Sequence, residues 1–264
     1  MSRTSQAIAD LKVPNGALGI FWLAQAGYAF KTSSGQIVYV DPYLSDCVER
    51  LAGFKRLMVS PIAAHDVEAD FVVSTHEHPD HLDVDALPEL AANPRTRFVG
   101  SEQCVEEYRR IGLTPDRYSQ IGVGSELSLG STRLTALYAD HGEYAKDAVG
   151  IVFDFAGIRL YHTGDTAYRP EQMRRAAELR PEIIIPCING AFGNLDARDA
   201  ARLSADVGAG IAIPSHYWMF AEQNGNPGDF VEACGELAPR VRPVIISPGE
   251  PYLYVQAARE LRRL

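Results

Sequence analysis

The sequence predicts an α/β protein in which sheets carry their helices on the outside, within one domain. Two observations carry that prediction. Strand-type segments open the chain as a meander, and strands then alternate with helical patterns through the second half. Composition sets the frame: 264 residues with 46% hydrophobic and 22% charged side chains is ordinary globular usage, enough to bury a substantial core.

After a short leader, GIFWLAQAGYAFKTSSGQIVYVDPYL reads as strands at residues 20–23 and 28–32, a turn at 33–35, and an apolar strand at 37–40 stopped by Asp41-Pro42. A less regular stretch, Ser45 to His65, leads to DFVVST, which has the composition of a buried strand. A histidine-rich loop follows, and then a helix expected over about residues 84–92. Further strand signals are TRFVG, TRLTALYAD, AVGIVFDFAGIRLYHTGD, EIIIPCI and AGIAIPSH. Between them run helical patterns at EQCVEEYRRI, PEQMRRAAEL, ARDAARLSADV and GDFVEACGEL. No tandem repeat, linker or low-complexity segment interrupts the series.

Charge and composition exclude several classes. A net charge of −9 argues against a broad nucleic-acid surface, which needs clustered Lys and Arg. No apolar run reaches the ~18 residues of a membrane helix, so no membrane partner is expected. The N-terminal MSRTSQAIADLKV lacks the apolar core and cleavage site of a secretory signal, so a cytoplasmic location is expected. Four scattered cysteines without a CxxC pair fit buried free thiols better than a disulfide framework or a zinc ribbon.

The stretch STHEHPDHLD concentrates three of the seven histidines in six positions. On extended backbone, residues two apart project to one side, so His76 and His78 can hold one metal ion through imidazole nitrogens. Pro79 bends the chain, and Asp80 and His81 then point toward a second ion. Glu77 faces away. Three further donors stand at strand ends: His141 after TALYAD, Asp165 after IRLYHTG and His216 after GIAIPS. Ligands on successive strand ends converge at one edge of a sheet, where rigid elements hold the geometry of a two-ion site.

In this order, Asp41, the His76-to-His81 cluster, His141, Asp165 and His216 resemble the five motifs of the metallo-β-lactamase superfamily. The resemblance covers nearly the whole chain, from GIFWLAQAG to VIISPGEPYLY. It implies a single-domain, four-layer αββα metallo-β-lactamase sandwich and two divalent ions. One ion would be held by His76, His78 and His141, the other by Asp80, His81 and His216, with Asp165 bridging. Asp41 would orient a ligand histidine without binding metal. A His/Asp donor set suits zinc, manganese and iron alike.

Departures within the superfamily narrow the reading. Diiron flavoproteins carry glutamate where this chain has His78, and glyoxalase-type thiolesterases append a helical domain for which little chain remains after His216. The stretches WLAQAGYAF, DPYLSD, THEHPDHLD, YHTGDT and INGAFGNLDARDA are most similar to the L-ascorbate-6-phosphate lactonase branch, whose members are cytosolic. The resemblance to that branch implies a lactonase acting on a carbohydrate lactone as its small-molecule substrate, and a homo-oligomer.

Two ions sharing one water lower its pKa, and the resulting hydroxide would attack the ring carbonyl. Asp80 would then act as the catalytic proton carrier to the leaving alkoxide. No serine or cysteine nucleophile is required, and GxSxG is absent; Cys187 reads as core. Candidate substrate contacts are Lys55 and Arg56 for an anionic tail, Asn189 and Asn194 for sugar hydroxyls, and Tyr217 and Trp218 as walls. His162 reads as structural. The alternatives are a phosphodiesterase using the same ion pair and, from another class, a metal-binding protein without turnover.

Overall fold

In the computed structural model, which describes residues 1–264, the expected opening meander forms the middle of an eight-stranded sheet. Strands β1 (Ala17–Trp22), β2 (Tyr28–Lys31) and β3 (Ile37–Val40) pair antiparallel, and β4 (Phe71–Ser74), β5 (Arg97–Gly100) and β6 (Tyr118–Gln120) continue the sheet in parallel. A second sheet has seven strands: β7 (Glu126–Leu129), β8 (Thr132–Tyr138), β9 (Val149–Phe155), β10 (Ile158–His162), β11 (Ile183–Ile185), β12 (Ile211–Ala212) and β13 (Arg242–Pro243). The C-terminal strands β14 (Tyr252–Val255) and β15 (Glu260–Arg263) return to the first sheet beside β1.

The chain is thus organised as two units, residues 1–121 with 247–264, and residues 122–246. Each has one antiparallel half and one parallel half. In the first unit α2 (Cys47–Ala52), α3 (Leu87–Ala91) and α4 (Glu102–Arg110) lie between successive parallel strands. In the second, α5 (Arg174–Leu179), α6 (Ala197–Asp206) and α7 (Pro227–Leu237) do the same. Side chains just past the C-terminal ends of parallel strands are where such sheets carry chemistry.

Local chemistry explains where the elements start and stop. Strand β1 is buried along its whole length, as its unbroken apolar run requires. The N-terminal helix α1 (Arg3–Asp10) was not expected from the leader. Ser2 caps its start, and Lys31 Nζ, reaching from β2, donates to the carbonyls of Ile8 and Ala9 at its end (2.8 and 2.6 Å). The helix expected from about residue 84 begins only at Leu87, because Asp83 Oδ1 accepts from the amides of Asp85 and Ala86 and caps that turn. Strands β11 and β12 stop short of the expected segments. Pro186 and Pro214 offer no amide, although the amides of Ile213 and Ser215 still reach Ile184 and Pro186.

The core of the first unit includes Phe21, Tyr39, Phe98, Cys104 and Tyr108. Helix α4 approaches β5 so closely that a Cβ on Gly100 would lie 2.5 Å from Cys104 Cβ and 2.8 Å from Tyr108 Oη. Gly100→Ala should therefore destabilise the protein by about 1–3 kcal/mol through overpacking. A chemical-denaturation midpoint equal to that of the parent would contradict this.

Candidate metal centre

The parallel pairing of β3 with β4 sets Val40 opposite Val73, which leaves Asp41 level with Ser74 and within reach of the Thr75 amide at the strand ends. Asp41 is fully buried and has a left-handed backbone (φ 45°). Its Oδ1 accepts from the Thr75 amide (2.8 Å), and its Oδ2 accepts from Thr75 Oγ1 (2.7 Å) and His81 Nδ1 (2.8 Å). A carboxylate can only accept, so His81 carries its proton on Nδ1 and presents Nε2 as a lone pair. Thr75 has spent its own proton on Asp41, so the 3.1 Å contact with His76 Nδ1 makes that nitrogen a donor as well. His76 too is left with Nε2 as a donor to metal. That atom lies 3.0 Å from His78 Nδ1.

Two backbone amides fix the bend at Pro79: those of His81 and Leu82 both donate to the His78 carbonyl (2.8 and 2.7 Å). Asp83 anchors the same loop by accepting from the amides of Leu44 and Ser45. Asp80 stands 3.8 Å from His81 Nε2, and its Oδ2 accepts from Gln25 Nε2 (2.7 Å). Gln25 is wholly buried and left-handed (φ 48°), and its carbonyl is held by Trp22 Nε1.

The second unit builds the other donors in the same way. His141 follows β8, Asp165 follows β10 and His216 follows β12; all three are buried. Asp165 Oδ1 lies 3.2 Å from His216 Nε2, and Oδ2 lies 3.7 Å from His141 Nε2. Asn194 Nδ2 donates to Oδ2 at 2.6 Å. Backbone bonds pin these loops together: Thr166 Oγ1 accepts from the Asp140 amide, Ala167 donates to the Asp140 carbonyl, and Leu195 donates to Thr166.

The remaining sequence-predicted residues fall differently. Arg56 donates to the carbonyls of Met58 and Ser45 (2.8 and 2.7 Å) and stacks 4.6 Å over the Tyr43 ring, so it clamps its own loop. Lys55 is exposed. Asn189 is wholly buried, with no hydrogen-bond partner for either amide atom, and Asn194 is engaged by Asp165. Neither has the solvent-facing amide expected for a hand on sugar hydroxyls. Tyr217 is buried and Trp218 exposed. His162 is buried and accepts from the Gly164 amide.

Cys187 is buried, and burial first, then the Asp165 charge, pushes its thiol up to about 12, so it is no nucleophile near neutral pH. Gln25 and Thr75 were not singled out by sequence reasoning. Thr75 could have been noticed as a hydroxyl next to His76, whereas nothing in the stretch WLAQAGYAF ties Gln25 to Asp80.

Imidazole and carboxylate donors placed past strand ends, in two mixed sheets flanked by helices, define a class of α/β proteins built to hold metal at strand ends. Within that class, residues 37–217 match the model of the beta-lactamase superfamily domain, and the chain belongs to that superfamily. It is 26% identical over 257 residues to a UPF0173 metal-dependent hydrolase of Cupriavidus necator, covering 89% of this chain and 85% of that one. A UPF0173 metal-dependent hydrolase of Archaeoglobus fulgidus is 29% identical over 245 residues, covering 88% and 97%.

Among solved structures, a metallo hydrolase of Ignicoccus hospitalis superposes with a TM-score of 0.75 at 20% identity, covering 90% of this chain and 98% of that one. An isothiocyanate hydrolase from Delia radicum gut bacteria gives 0.67 at 18%, covering 88% and 97%. These likenesses show the metallo-β-lactamase fold. No helix is long and apolar enough to cross a membrane.

Two outcomes follow from the geometry. Asp41→Ala removes the acceptor that orients His81, so the affinity for a divalent ion should fall about 10–100-fold; calorimetric titration giving the parental affinity would refute the orienting role. Burial also raises the thiols of Cys47 (to about 12), Cys104 and Cys234 (to about 11). A thiol reagent at pH 8 should therefore label none of the four cysteines until the chain is unfolded, and rapid labelling of the native protein would contradict their burial.

Proposed function

We propose that this metal-dependent hydrolase holds two divalent ions through both sets of donors and opens a lactone. The assignment is His76, His78 and His141 to one ion, Asp80, His81 and His216 to the other, and Asp165 between them. One observation carries it: the two oxygens of Asp165 face imidazoles from two different strand ends, His216 and His141, while Asn194 holds the carboxylate in place. The donor chemistry agrees. The tautomers set by Asp41 and Thr75 leave His81 and His76 with Nε2 lone pairs, and a set of neutral imidazoles with carboxylates suits borderline divalent ions.

When bound, such ions polarise an acyl carbonyl and make water nucleophilic near neutral pH. The chain's own residues do the rest. Asp80, tied at Oδ2 by Gln25, carries a proton on its carboxylate to the departing alkoxide. Asn194 keeps Asp165 from turning, and Asp41 keeps His81 from flipping. What supports a lactone in particular is the resemblance of WLAQAGYAF and INGAFGNLDARDA to the lactonase branch. The first stretch contains Gln25 and the second Asn194, the two amides that grip Asp80 and Asp165. With the guanidinium of Arg56 committed to carbonyls, the reading does not include a phosphate anchor there.

The purified protein should contain about two divalent ions per chain, and a chelator should abolish hydrolysis of lactones in a reversible way. A panel of lactones and phosphodiesters decides the reaction: turnover confined to phosphodiesters defeats the lactonase reading. Asp165→Ala should lose at least one ion by elemental analysis, and retention of both at parental affinity would rule out the bridging assignment.

A further inference from the structure

Three aromatic side chains in the second unit are exposed: Tyr144 (60%), Phe192 (40%) and Trp218 (55%). Each lies on a loop that carries a donor or its support. Tyr144 is three residues past His141, Trp218 two past His216, and Phe192 two before Asn194. Because Asp165 joins His141, His216 and Asn194 at 3.7, 3.2 and 2.6 Å, the three loops converge on one carboxylate. The Tyr144 ring stands 5.6 Å from the His141 ring and meets the Phe192 ring edge-on at 6.5 Å. Trp218 packs edge-on against the buried Tyr217 at 5.4 Å, which fixes its orientation.

The backbone under two of these rings is held against its preference. The Asn194 amide donates to the Ala191 carbonyl (3.0 Å), closing a turn whose central residues, Phe192 and Gly193, have φ of 54° and 83°. Positive φ at both central positions is the pattern of a type I′ turn, where Asn-Gly is the favoured pair and a bulky residue at the first position is strained. Trp218 has φ 56°, two residues beyond His216 at 61°. Phe192 and Trp218 are large apolar rings that are exposed and left-handed at once, and strain of this kind gathers where a site requires it.

Charge points the same way. The loop from Asp140 to Asp147 holds three acids, Asp140, Glu143 and Asp147, against one lysine. Lys146 faces Glu143, and Arg169 faces Asp140. Nothing here favours an anionic tail.

We propose that Tyr144, Phe192 and Trp218 form an apolar rim that binds a flat apolar substituent, an aryl or unsaturated acyl group, on the substrate hydrolysed beside Asp165. The proposal rests on the hydrolase reading and narrows its substrate class, away from a phosphorylated sugar and toward an apolar-substituted lactone or ester. The rim would hold the substituent by stacking and burial while the carbonyl lies against the donors.

The test uses the metal-loaded protein and two non-hydrolysable lactams of similar size, one carrying a phenyl group and one a hydroxylated chain. Titration calorimetry should give the phenyl lactam about 10-fold tighter binding or better. Tyr144→Ala and Phe192→Asn should each reduce that preference to about threefold or less, with metal content and affinity for the hydroxylated lactam unchanged. Since Asn suits the turn, Phe192→Asn should also keep or raise the thermal midpoint, which a merely structural phenylalanine would not allow.

Equal affinity for the two lactams overturns the proposal. So does a parental preference in both variants, or a change in their oligomeric state without a change in ligand affinity. Turnover of the matching lactones is scored separately: phenyl preference without turnover defeats the lactonase reading alone, and turnover without phenyl preference defeats the rim alone.

Discussion

The donor set of the first unit depends on one buried carboxylate. Asp41 has no solvent to stabilise its charge, and a desolvated carboxylate is tolerable only where donors surround it. Thr75 and His81 supply three, and in doing so they lose the freedom to present any other tautomer or rotamer. The arrangement reaches back to sheet register. Had β3 slipped by one residue against β4, Asp41 would point to the other face of the sheet and His81 would lose its acceptor. Pairing of two short apolar strands is therefore what decides which nitrogen of an imidazole some forty residues later is left free of Asp41.

Strain is distributed in the same sense. Nine non-glycine residues have positive φ, and Gln25, Asp41, Phe192, His216 and Trp218 are among them. Such conformations persist only where neighbours over-determine them. Gln25 is fixed by Trp22 and Asp80, Asp41 by Thr75 and His81, and the Phe192 turn by Asn194 and Leu195. Each unit spends stability at its strand ends and recovers it in strands such as β1 and β9.

How much of this was legible in the sequence follows from how local each signal is. HxHxDH announces itself because spacing along one loop is the chemistry, and His141, Asp165 and His216 are legible because each ends an apolar run. Gln25 is not, since it meets Asp80 fifty-five positions away through a turn that has no distinctive pattern. Asn194 was visible as a polar loop residue, but its engagement with Asp165 depends on how the loop folds back, which composition does not reveal. Arg56 shows the converse: a basic pair reads as an anion site until its guanidinium is seen on chain carbonyls. The boundaries of β11 and β12 were overextended because apolar residues continue past prolines that end the ladder. Of the exposed rim, Trp218 is legible as a wall from its place beside His216, whereas Tyr144 and Phe192 become informative only with their exposure and, for Phe192, its φ angle.

The return of the last strands to β1 bears on how the protein is made. Ala17 pairs with Val255 and Ile20 with Tyr252, so the first sheet closes across nearly the whole chain. At ribosomal elongation rates the intervening polypeptide takes roughly 10 to 50 s to appear. During that interval the β1 edge, ALGIFW, is an apolar ladder with open amides and carbonyls, the kind of surface that recruits other nascent chains. The second unit, continuous in sequence, needs no such delay. The order of synthesis thus leaves the sheet that carries the histidine cluster as the one most in need of protection by chaperones.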